Sequence, residues 1–332
     1  MKMNNGKVYL WIWVAWLLLF YGVWSLLVFV NQQWPLVMEH WPIALAMTVG
    51  SYAAGSTPMG GGTVGFPVMV MVFDMPATLG RDFSFAIQSI GMVSAGIFIL
   101  VRRQPVAYSI LSGALLGSFL GTPIGILYVA PHFADIWIKL MFSMVWGSFG
   151  ILHLIRIREI STNQGLRSLG FRTDFKLGFA VTFLTSVFVS SVTGVGVDMV
   201  LYCILVLLYR SDLKIAIPTS VLIMAFTSVV GVATKMLTGG FHPSVYGNWL
   251  AAAPVVIIGA PFGVFVVNLI GRKPTLVCVA FLCMGQYLWT CMTEYRQLGE
   301  FGITVCSLVM IVLLSGFEYL RIKSMRLSAN AT

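Results

Sequence analysis

The chain has 332 residues, of which 58% are hydrophobic and 9% charged, with a mean hydropathy of +0.92. A soluble domain carries about 25% charged residues. The 11 acids and 20 bases present here are too few to cover a water-facing surface, which excludes an ordinary soluble enzyme, a nucleic-acid binder and a disordered tail. The net charge of +9 reads as a membrane-orientation signal, because the bases sit between apolar segments.

In chain order, Lys2 and Lys7 precede an apolar run over 9–30. It is longer than the apolar core of a signal peptide and no small-x-small site follows it, so it reads as a retained spanning helix. Further spans are expected at 83–101, 106–129, 135–155, 215–236, 248–269, 275–292 and 301–320. Two stretches, 42–73 and 175–209, do not fit one span each. Glycines and small polar residues break them at Gly55-Ser56-Thr57-Pro58-Met59-Gly60-Gly61-Gly62-Thr63 and at Ser190-Ser191-Val192-Thr193-Gly194-Val195-Gly196. Each limb is expected to run about 15 residues, or roughly 22 Å of helix. That is short of a bilayer core of about 30 Å, so each stretch is read as a hairpin entering and leaving by one face.

The bases test this reading. Arg102 and Arg103, the loop 156–176, Arg272 and Lys273, the C-terminal tail and the N-terminus carry most of them. With both hairpins re-entrant, sixteen of the twenty bases fall on one face, leaving Arg81, Lys139, Lys235 and Arg296. The positive-inside rule makes that face cytoplasmic, with both termini on it. The fold class is then an all-α polytopic membrane protein of about eight full spans plus two re-entrant hairpins. The expected segments are 1–41, a helix and outer loop; 42–155, a first repeat; 156–174, a cytoplasmic linker; 175–292, a second, inverted repeat; and 293–332, a last helix with a basic tail. Paired broken helices in inverted repeats point to a secondary transporter whose site lies where the breaks meet.

The chemistry follows from the breaks. Gly60, Gly61, Gly62, Gly194 and Gly196 let backbone approach a ligand. The half-helices after them offer free N–H groups and a positive dipole end, which attract an anion. Ser56, Thr57, Thr63, Ser190, Ser191 and Thr193 add uncharged hydroxyl donors, as do Thr219 and Ser220 in the second half. The competing reading is that these small residues only let helices pack closely. Gln88 and Ser84 share a helix face at membrane depth, where polar groups turn towards protein or a cavity. Arg81 and Asp82 read either as an interfacial pair or as charges of the path. Asp198 either caps the second half-helix or binds a coupling proton. Lys235 reads as snorkelling to the interface. His40, His132, His153 and His242 make no cluster, and the five cysteines read as small packing residues. No metal or cofactor is implied.

At Gly60-Gly61-Gly62 with Pro67, and at Thr193-Gly194-Val195-Gly196 followed by Ala216-Ile217-Pro218-Thr219-Ser220, the chain resembles the TauE/SafE sulfite exporter family of membrane permeases. The resemblance covers about 42–292. It implies movement of sulfite, an organosulfonate or a related sulfur oxyanion across a bacterial cytoplasmic membrane, with export favoured. By the same resemblance, the two breaks and the following polar residues line the path. The expected partners are that anion and membrane lipids, without nucleic acid or nucleotide; no GxxxxGK[ST] loop is present. A carrier of another small anion, such as a carboxylate taken up with a proton, is the alternative. An intramembrane enzyme is remote, since neither HExxH nor GxSxG occurs.

Overall fold

The computed structural model describes residues 9–329, with side chains to Arg326. Within them every regular element is a helix, and nine helices are long and apolar enough to cross a membrane. We number them α1 Leu10–Val30, α2 Trp34–Glu39, α3 Trp41–Ser56, α4 Gly62–Val72, α5 Ala77–Val101, α6 Tyr108–His132, α7 Asp135–Thr162, α8 Phe171–Thr193, α9 Val197–Leu207, α10 Leu213–Leu237, α11 Pro243–Ile270, α12 Arg272–Thr293 and α13 Tyr295–Ala329.

Both broken stretches fold back on themselves. In the first, Gly50 of α3 lies against Val64 of α4, while Met47 reaches Gly65. The two limbs therefore run antiparallel about the break. In the second, the Asp212 amide donates to the Gly165 carbonyl at 2.7 Å, and the Tyr209 hydroxyl donates to Asp174 at 2.9 Å. The end of α9 thus returns to the start of α8.

One limb is much longer than expected. α8 has 23 residues, about 34 Å at 1.5 Å per residue, because a widened turn at Ser186–Ser190 carries the helix on to Thr193. Its first turns hold Arg172, Asp174 and Lys176, so part of that length lies in the polar face. The other three limbs have 16, 11 and 11 residues.

Contacts between chain-distant residues separate two faces. On one, the Arg103 guanidinium lies over the Tyr9 ring, Arg156 pairs with Glu318, and Arg321 pairs with Glu159. On the other, the Ala77 amide donates to Asp135, the Tyr246 hydroxyl to Gln33, and Lys139 pairs with Glu294. Fourteen of the eighteen described bases stand on the first face; Arg81, Lys139, Lys235 and Arg296 are the others. Lys2 and Lys7 lie outside the described residues. The two hairpins therefore enter from opposite faces.

The packing repeats with the same inversion. α3 lies along α11, and its counterpart α8 lies along α6. α5 meets α10 and α7 meets α12, each helix against its own equivalent. The α6–α8 contact shows how the sequence permits this. Gly113, Gly117, Gly121 and Gly125 form one stripe of α6, and a Cβ on them would sit 2.0–2.6 Å from the carbonyl oxygens of Phe175, Phe179, Phe183 and Val187. Small residues four apart let two backbones touch, a main source of helix association where lipid removes the hydrophobic drive.

Candidate functional site

The two breaks meet in the buried centre of the molecule. A Cβ on Gly62 would sit 2.5 Å from Val195 Cγ1 and 2.8 Å from Ser84, so the first turn of α4 abuts the second break. Gly194 and Gly196 have φ of +81° and +111°, a conformation only glycine adopts freely. At Gly194 a Cβ would also lie 2.5 Å from the Arg81 carbonyl oxygen. The first break needs Gly60 and Gly62 for room, not for φ. Gly61 is in ordinary helical backbone, but a Cβ on Gly60 would fall 1.6 Å from Gln88 Oε1.

Gln88 ties the halves together. Its Nε2 donates to the Ser84 carbonyl at 2.9 Å and, 106 residues away, to the Gly194 carbonyl at 3.0 Å. Asp198 faces it from α9. Oδ1 accepts from the amides of Gly196 at 3.2 Å and Met199 at 2.9 Å, which makes the carboxylate a cap for α9. The Val197 amide is taken by Ser190 Oγ at 3.1 Å. The α9 N-terminus is thus largely filled by the chain's own groups. No side chain caps α4, whose first N–H groups face the break.

The hydroxyls expected to act as donors are turned onto nearby carbonyls. Ser56 donates to Tyr52, Thr57 to Ala53, Ser84 to Gly80, Ser191 to Val187, and Thr193 to Val189 and Val195. Ser220 donates to Ile217. Thr219 donates to Ile215 and accepts the Ala107 amide at 3.0 Å, which holds the α5–α6 loop. Counted from the helix starts, Ser84 corresponds to Ser220 and Gln88 to the buried Met224. The polar group at depth therefore has no equivalent in the second half.

The charged candidates form a separate cluster. Asp82 accepts from Arg81 Nε at 2.8 Å and from Lys235 Nζ at 2.9 Å, joining α5 to α10. Lys235 is paired and only 20% exposed, which corrects the expectation that it snorkels to the interface.

Residues outside the sequence expectations also border the breaks. Trp146 of α7 donates to Thr63 Oγ1 at 3.0 Å and also borders Gly196, so one indole touches both breaks. It stacks on Phe142, which stacks on Phe66. A tryptophan at mid-span, away from the interfacial belt, was the sequence signal for it. Cys283 Sγ contacts Met59 Sδ at 3.7 Å, and nothing in the sequence pointed to that pair.

The centre is closed. Ser56, Thr57, Ser190, Thr193 and Asp198 are all fully buried. The cavity beside Gly61 and Gln88 measures about 10 Å³, room for roughly one water. A multi-atom anion does not fit in this cavity.

The family model described as "Sulfite exporter TauE/SafE" matches residues 43–288, which takes in both hairpins and the six helices that follow them. Searches of curated proteins and of solved structures gave no match. With the match spanning well over half of the chain and both breaks inside it, the chain belongs to the TauE/SafE sulfite exporter family of membrane permeases.

Proposed function

We propose that this protein is a secondary carrier that moves a small sulfur-containing anion, sulfite or an organosulfonate, by alternating access around the two breaks. The observation that carries the reading is the junction itself: hairpins from opposite faces meet where Gln88 donates to the Gly194 carbonyl. Such a junction is sealed in the closed form and opens to either face by movement of one repeat against the other. When it opens, the uncapped amides of Gly61 and Gly62 and the hydroxyl of Thr63, which accepts from Trp146, are the donors for the oxyanion. Arg81, Asp82 and Lys235 form the ion cluster that links the halves on the less basic side.

The division into repeats at 42–155 and 175–292 belongs to the same reading. So does placement in a bacterial cytoplasmic membrane with the basic face inward. At an inside-negative potential an anion leaves downhill by about 2.3 kcal/mol per charge per 100 mV, which favours export without ATP.

The test is flux of radiolabelled sulfite, an alkyl sulfonate and a carboxylate into proteoliposomes. Sulfite or sulfonate flux above that of protein-free vesicles is expected. Flux of the carboxylate alone would transfer the reading to another anion, and no flux of any solute would reject the carrier.

A further inference from the structure

Two buried acceptors border Gly60 where the breaks meet. Gln88 Oε1 and Asp198 Oδ2 both lack a hydrogen-bond partner. Gln88 is 1% exposed and Asp198 fully buried. They border one point: a Cβ on Gly60 would meet Gln88 Oε1 at 1.6 Å and Asp198 Oδ2 at 3.3 Å. The amide cannot be turned over to relieve this. Its nitrogen already serves two carbonyls, Ser84 and Gly194. Flipping it would set oxygen against oxygen at both, and the network decides the assignment.

We propose that a proton is held between Asp198 and Gln88, and that this is where the carrier takes up the ion it couples to the anion. The idea rests on the carrier reading above and adds its coupling ion. Asp198 Oδ2–H donates to Gln88 Oε1, and both unpartnered oxygens are then satisfied at once. The alternatives fit less well. An ionised carboxylate at this depth would have only the backbone amides of Gly196, Met199 and Gly60 against it and no cation, which buried charge calls for. Arg81 of α5 and Lys235 of α10 are already paired on Asp82. His153 of α7 bonds the Phe149 carbonyl and the Tyr202 hydroxyl, one turn along α9 from Asp198. Cys203 is the other titratable group of that stretch of α9. Asp174 of α8 takes Ser109, Ser168 and Tyr209 near the basic face, and Glu318 of α13 takes Arg156 and Arg321 there. A hard metal ion wants about six or more oxygens, and no group of three metal-ligating side chains exists among the described residues. The one-water cavity is lined by Gln88 but not by Asp198, so a water there does not bridge the pair.

The proton also gives the breaks a reason to move together. Opening either face admits water to Asp198. The carboxyl then loses its proton to that water, and Gln88 loses the bond that fixes its amide between the halves. Reprotonation restores the bond and closes the junction.

Infrared spectroscopy of the reconstituted protein at neutral pH, without substrate, reads the proton directly. A protonated-carboxyl C=O band is expected that shifts on ¹³C-aspartate labelling, disappears in Asp198→Asn and moves to higher frequency in Gln88→Met. A wild-type spectrum without such a band, or a band unchanged in Asp198→Asn, overturns the proposal. The isotope label on the wild type gives the answer even if the Asn variant does not fold. A sodium- or lithium-dependent carboxylate band at Asp198 would also overturn it, in favour of a metal ion. Because this reading needs no solute, a missing band rejects the proton site, whereas a band without anion flux rejects only the carrier reading.

Discussion

Gln88 Nε2 lies 3.0 Å from the carbonyl oxygen of Gly194, the only direct side-chain bond we find between α5 and the second break among the described residues. It places a side chain of one repeat under the broken backbone of the other. Replacing it by the residue that stands at its register in α10, Gln88→Met, leaves the buried Gly194 carbonyl without its donor. An unsatisfied buried acceptor costs about 1–3 kcal/mol. The variant is expected to melt at lower temperature in detergent than the wild type and to lose anion flux by about tenfold or more.

The two neighbouring glycines of the first break respond differently. Gly60→Ala drives a methyl into Gln88 Oε1, and relief requires the amide to leave Gly194. Gly61→Ala meets nothing closer than 3.4 Å, an ordinary contact. Flux through Gly61→Ala is expected to stay within about twofold of the wild type, and through Gly60→Ala to fall about tenfold or more. Equal flux in the two variants would remove Gly60 from the closed junction.

Asp82 neutralises two cations at once. Asp82→Asn leaves Arg81 and Lys235 close together and mostly buried. Breaking a buried pair by removing one partner costs about 3–5 kcal/mol, with the lower end expected here because Lys235 keeps some solvent. Adding Lys235→Met to Asp82→Asn removes one unpaired charge and is expected to recover part of the loss. Thermal unfolding of the single and double variants measures it.

Much of the architecture was legible because membrane physics leaves few options. Apolar run lengths gave most of the spans, and the bases fixed how often the chain turns. Arg102 and Arg103 could join the other bases only if 42–73 returned to its own face, and Gly50 against Val64 shows that it does. The length of α8 was misjudged, because Ser186–Ser190 reads as the approach to a break and instead forms a widened turn of continuous helix. Lys235 was misread because pairing and snorkelling look alike in sequence when the partner, Asp82, is 153 residues away. The glycines and Gln88 that the sequence singled out lie together in the structure. Trp146 was missed because its partners Thr63 and Gly196 come together only through the inversion.

The orientation of the first hairpin has its own check. Single cysteines at Asp74 and Arg103, in a background without the five native cysteines, stand at opposite ends of α5 and are both exposed. A membrane-impermeant thiol reagent added to intact cells is expected to modify the cysteine at 74 and to spare that at 103. Modification of both from outside would place the two loops on one face and undo the inverted arrangement.

The most direct test of the central claim is exchange of ³⁵S-sulfite across proteoliposomes by the wild type and by Gly194→Val, reconstituted at equal amounts as monodisperse protein. The second break needs φ of +81° at this position and has no room for a side chain against the Arg81 carbonyl. Rapid exchange by the wild type and none by the variant is the expected result. Exchange at the wild-type rate by Gly194→Val would show that the anion does not pass through the junction of the two breaks.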